Sequence, residues 1–264
     1  PKAGQPRPAL TVSTAQPQRM QVPLRLAANG NIAAWQEASI GAESNGLRLT
    51  DVRVNVGDVV KAGQVLATFS ADTVLADVAQ SRASLLEAQA NAAEAAANAD
   101  RARSLQATGA LSQQQIQQFT TAEQTAKARV EAAQAALNAQ QLRLKYTQVV
   151  APDSGVISAR TATVGAVVGA GTELFRMVRK GRLEWRAEVT STELRRIQPG
   201  AKVSVTAASG AVAEGTVRMV APTVDPQTRN ALVYVDLPAN TDFRAGMFAR
   251  GDFALGSSDA LTVP

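Results

Sequence analysis

The 264-residue chain carries a net charge of +5, with 45% apolar and only 4% aromatic residues, a composition that suits thin, elongated, multi-domain packing rather than one thick core. It has neither cysteine nor histidine, which excludes disulfides, thiolate zinc sites, cysteine nucleophiles and every Ser-His or Cys-His relay. No dense Lys/Arg tract marks a nucleic-acid footprint, and no run of about 18 apolar residues is long enough to span a bilayer.

The chain opens with the Pro/Gly-rich stretch PKAGQPRPA and stops at LTVP. Both ends read as cut points of a longer protein, with any anchor outside this chain. Short strands are predicted at Leu10–Thr14 and Val22–Ala28, then at Leu47–Val56 and Gln64–Phe69. The turns Asn45-Gly46, Gly57-Asp58 and Ala62-Gly63 separate these last strands. The stretch VGDVVKAGQVLATF, Val56 to Phe69, has a second copy 108 residues later, VGAVVGAGTELFRM, Val164 to Met177, with seven of fourteen positions identical.

Between the copies the texture is helical. Asp72 to about Ala107 is rich in Ala, Gln, Asn and Glu, without Pro or Gly. Gly109 interrupts it. Ser112-Gln113-Gln114-Gln115 fits a capping box and opens a second helix that runs to about Tyr146. Ile116, Phe119, Glu123, Ala126, Val130, Ala133, Leu137, Gln140 and Leu144 follow alternating spacings of three and four, the coiled-coil pattern. Leu75, Val78, Leu85, Ala92, Ala96 and Ala99 form the matching seam on the first helix. About 35 residues per helix make a rod of roughly 50 Å. An antiparallel hairpin of this kind brings the second copy of the repeat back beside the first, so the copies read as halves of one small β-unit.

After Lys180 the pattern is β again. Leu183, Trp185, Ala187 and Val189 alternate with Glu184, Arg186 and Glu188, predicting a half-buried strand whose charged residues face solvent. A short helix is predicted at Thr192–Ile197, stopped by Pro199-Gly200. Strands at Lys202–Thr206, Thr216–Val220, Leu232–Leu237 and Met247–Leu255 complete a small antiparallel barrel.

These pieces resemble, in order, the periplasmic adaptor subunits (membrane fusion proteins, HlyD-like family) of tripartite efflux pumps of the resistance-nodulation-division (RND) type. The matching stretches are the two repeat copies, YTQVVAPDSGVISA from Tyr146, APTVDPQTRNALVYVDLP from Ala221 and RAGMFARGDF from Arg244. The resemblance implies an elongated, multi-domain α+β chain. Residues 40–71 and 148–179 would form a lipoyl-like β-domain split by an antiparallel coiled-coil α-hairpin at 72–147. Residues 19–39 and 180–256 would form the β-barrel. Residues 1–18, a linker with a partial strand, and 257–264, the start of a return strand, would belong to a membrane-proximal β-domain. Arg101, Leu105 and Ser112 stand at the spacing that the family uses to meet a TolC-like outer-membrane channel, flanking the turn at Gly109. Ser112 is equally the natural cap of the second helix.

The implied function is non-enzymatic. The chain would sit in the periplasm, attached to the inner membrane, and link an inner-membrane RND transporter to the outer-membrane channel, self-associating as a hexamer, for efflux of drugs or other small molecules. An adaptor of an ABC-type exporter or type I secretion system is the alternative. A lipoyl or biotinyl carrier would need a lysine where Ser70-Ala71-Asp72 stand. Metal chaperoning would need a His, Cys or Met cluster, whereas Met20, Met177, Met219 and Met247 are scattered. The reading calls for no catalytic residue, cofactor or metal.

Overall fold

A computed structural model describes residues 17–106, 109–239 and 242–262. The strand expected at Leu10–Thr14 and the linker before it lie outside these residues. In chain order come β1 (Gln18–Ala34), β2 (Glu37–Gly41), β3 (Leu47–Val52), β4 (Val59–Val60), β5 (Val65–Phe69), α1 (Asp72–Gln106), α2 (Gln113–Lys145) and β6 (Gln148–Val150). Then follow β7 (Gly155–Arg160), β8 (Val167–Val168), β9 (Glu173–Arg179), β10 (Leu183–Thr190), β11 (Lys202–Ala207), β12 (Val212–Val224), β13 (Asn230–Asp236) and β14 (Phe248–Thr262). One compact unit spans Gln36–Lys180, and the described residues on either side of it form the second.

In the first unit the repeat folds as two interlocked halves. One sheet has the order β2-β9-β7-β4 and the other β6-β5-β3-β8. Each sheet therefore takes two strands from each half, and neither half has a complete sheet alone. The 108-residue offset carries β3 onto β7, β4 onto β8 and β5 onto β9. Val60, Leu66, Ala67, Leu174, Phe175 and Met177 are buried between the sheets. The shared glycines sit where the backbone needs a positive φ: Gly57 at +96° and Gly165 at +90°, Gly63 at +78° and Gly171 at +83°. The strand expected over Leu47–Val56 ends at Val52, and each half adds a two-residue strand, β4 or β8, that the alternation does not show.

The two helices of this unit leave its sheets between β5 and β6. Their base is tied by Phe69 N–H to Thr147 O (2.8 Å) and by the Ser44 hydroxyl to Tyr146 O (2.8 Å). They run antiparallel and meet along small residues, with Leu85, Ala99, Ala102 and Leu137 buried. Two seam positions differ from the spacing-based expectation. Val74 is half-buried where Leu75 was expected, and Leu75 is 50% exposed. Thr120 turns inward in place of Phe119, which is 39% exposed. Apolarity favours Leu and Phe at these ends of the seam, but the 3.6-residue period sets which side chain faces the partner helix.

The second unit is a closed barrel in the order β1-β10-β13-β12-β11-β14, with β14 returning to β1. Trp185 is fully buried, its ring 5.7 Å from that of Phe253, and its indole N–H donates to Ala249 O at 3.3 Å. Gly251 makes room for that ring, since a Cβ there would fall 2.4 Å from it. The helix expected at Thr192–Ile197 is a single 3-10 turn, Leu194–Arg196. Where a return strand was expected at 257–264, residues 257–262 are the end of β14, paired with β1 from Pro23 back to Gln18. Residues 263 and 264 lie outside the described residues.

One reading of the barrel is overturned. Glu184, expected on the solvated face of its strand, is only 1% exposed. It does point away from Trp185, but the long side chains of Arg186 and Arg218 fold over it. Arg186 Nε donates to Glu184 at 2.9 Å, and Arg218 donates to the other carboxylate oxygen. Arg218 Nε also reaches Asp236 at 3.1 Å, which accepts from Arg182 at 2.5 Å. The guanidiniums of Arg182 and Arg218 lie 4.6 Å and 5.6 Å from the Trp35 and Tyr234 rings.

Candidate functional site

The far end of the helical pair holds the residues singled out by the sequence. Arg101 and Leu105 stand four apart on α1, and so lie one above the other on the same face. Arg101 is exposed and donates to Asn98 Oδ1 on its own helix. Leu105 is 43% exposed. Gly109 adopts φ +71° and donates its N–H to Gln106 O at 3.2 Å.

Ser112 is committed to capping. Its hydroxyl accepts from Gln115 N–H at 3.3 Å, and the Gln115 side chain accepts from Ser112 N–H at 3.1 Å. Two of the four N–H groups left open at the start of α2 are satisfied in this way. The turn thus brings Ser112 to the same end as Leu105, while its side chain serves the helix.

Sequence reasoning missed a clasp just below the tip. Glu123 of α2 is 7% exposed, in a seam whose other buried residues are Leu85, Ala99, Ala102 and Leu137. Its carboxylate accepts from Lys127 Nζ at 2.6 Å and from Arg103 of α1. Arg103 also holds Asp100 at 2.6 Å. The seam position of Glu123 was legible, but its partner 20 residues away was not, because the phase of one helix against the other decides it. Hydrogen bonds from Lys127 and then Arg103 hold the Glu123 carboxyl below the usual glutamate range, against burial, which raises it.

That direction fixes the pH response. A depressed folded value means that the clasp contributes fully above the ordinary glutamate range and is lost as pH falls through the lower folded value. Acidification below about pH 4 is expected to loosen the tip, seen as faster amide exchange around 100–106 and 113–123. Glu123→Gln should flatten this dependence. An identical acid profile in the variant would show that the clasp does not hold the helices together.

Residues 185–257, which run from β10 into β14, match the family described as CusB-like, beta-barrel domain. The chain is 34% identical over 221 residues to the nickel and cobalt resistance protein CnrB of Cupriavidus metallidurans, covering 81% of this chain and 54% of CnrB. The barrel belongs to the CusB-like family. The chain is also 28% identical to the multidrug efflux pump subunit AcrA of Escherichia coli K12, covering the whole chain and 70% of AcrA. Its fold is shared with the membrane fusion protein Spr0693 of Streptococcus pneumoniae R6, at a TM-score of 0.70 and 18% identity, over 86% of this chain and 98% of that one. The chain spans about half the length of CnrB. Among the described residues, no helix is long and apolar enough to cross a membrane.

Proposed function

We propose that this chain is a non-enzymatic periplasmic adaptor, linking an inner-membrane RND transporter to an outer-membrane TolC-like channel for efflux of drugs or other small molecules. The observation that carries the proposal is the two-helix arm of 35 and 33 residues, inserted between interlocked β halves in a chain whose barrel matches the CusB-like family. The two relatives, one named for nickel and cobalt resistance and one for multidrug efflux, support export as the task.

In this reading the interlocked unit is the lipoyl-like domain and the arm is its coiled-coil hairpin. The alanine-rich faces of the hairpin suit close lateral packing in a hexamer. The tip, with Arg101, Leu105 and Ser112 around Gly109, meets the channel, and binding energy released there biases the channel toward its open state. Ser112 contributes by fixing the start of α2, while Arg101 and Leu105 present the contacting groups. The test is a tip cross-link. A single cysteine replacing exposed Ala110, beside the turn, is expected to couple to cysteines at the periplasmic end of the channel in exporting cells. Exporting cells without such an adduct would contradict the proposal.

A further inference from the structure

Ser104 to Ala122 contains no charged residue, and these 19 residues are the longest uncharged stretch in a chain that is 19% charged. The nearest charges on either side, Arg103 and Glu123, neutralise each other across the helices. Six of the 19 residues are glutamine. Gln115 is spent in the capping box. Gln106, Gln113, Gln114 and Gln117, with Ile116, line an open hollow of about 500 Å³ at the tip. Leu105 and Phe119 stand exposed beside it.

We infer that the tip recognises its partner through neutral amide hydrogen bonding in this hollow, and that Gln106, Gln113, Gln114 and Gln117 set the specificity. The inference rests on the adaptor reading above and names the chemistry of the partner surface: an uncharged stretch of the channel that offers backbone carbonyl and amide groups. Each glutamine brings both donors and an acceptor, so it satisfies either backbone group. A neutral head neither attracts nor repels charge, so its docking does not depend on salt in the way that a charged patch does. Arg101 stands outside the neutral stretch, and here it donates to carbonyls rather than carboxylates.

The probe is the purified TolC-like channel of the same organism, immobilised in detergent, with the chain passed over it at about 50 and 500 mM NaCl. The affinity is expected to change by less than about twofold between these salts. The double variant Gln113→Glu, Gln114→Glu is expected to bind at least about tenfold more weakly, because two carboxylates are desolvated against a neutral surface. These positions begin α2, where acidic residues favour the helix, so misfolding does not explain such a loss. A tenfold fall of wild-type affinity with salt would overturn the inference and leave the adaptor reading standing. Unchanged binding by the double variant would do the same. No binding at either salt would overturn both. Loss of self-association in the double variant, with channel binding kept, would assign the hollow to a second copy of the chain and overturn the inference.

Discussion

Glu184→Ala is expected to lower the unfolding free energy of the barrel by about 3 kcal/mol, the scale for removing one partner of a buried ion pair. The carboxylate is 2% exposed and is the common acceptor of Arg186 and Arg218. Without it, two guanidiniums remain over an apolar surface with one carboxylate, Asp236, between Arg218 and Arg182. Arg186 and Arg218 both lie over the Tyr234 ring, and Arg182 lies over Trp35, which favours keeping their planar forks at this face. The readout is specific, because the only tryptophans, Trp35 and Trp185, both belong to the barrel unit. Urea unfolding followed by tryptophan fluorescence should show the midpoint falling with an unchanged slope. Glu184→Gln, which keeps an acceptor, should lose less. A loss below about 1 kcal/mol for the alanine variant would mean that solvent screens the network as it does a surface pair.

Gly155→Ala should cost about as much in the other unit, for a different reason. A Cβ at Gly155 would fall 2.2 Å from Val178 O and 2.6 Å from Met177 Cε. The nearer atom is backbone, so β7 and β9 must separate, and overpacking of this kind costs about 3 kcal/mol. The contrast is Gly57, where a Cβ would meet nothing within 4 Å and only the positive φ resists substitution. Gly57→Ala is expected to cost about 1 kcal/mol. Amide exchange in β7 and β9 checks both. Equal protection loss in the two variants would show that close strand approach is not what Gly155 provides.

The β-unit was legible because its two halves repeat: the shared glycines mark turns that need positive φ, whatever surrounds them. Its two-residue strands were not, since Val59 and Val167 are exposed edge residues that alternation cannot separate from a turn. The helix pair was legible from its three-and-four spacing, except near the ends of the seam. There Leu75 and Phe119 lost their places to Val74 and Thr120, because helix phase outweighs side-chain apolarity. Glu184 was misread because period-two alternation gives the face of a strand, not what later folds over that face. At the tip, the cap by Ser112 follows from four consecutive residues and was readable. The pairing of Arg103 with Glu123 depends on how two helices dock, and no local pattern contains it.

The capping role of Ser112 also decides how the central claim is best tested. A probe at Ser112 itself would remove the hydroxyl that holds the start of α2. Ala110 is exposed and next to the turn, and the chain has no cysteine of its own. Ala110→Cys is therefore introduced in cells that depend on the protein for export, together with a channel carrying cysteines around its periplasmic opening. The expected result is a disulfide-linked adduct of adaptor and channel, with export retained, and no adduct from a control cysteine at Val212 of the barrel, which is also exposed. Export at the normal level with no adduct from Ala110→Cys, or with equal adducts from both positions, would contradict docking of the tip on the channel.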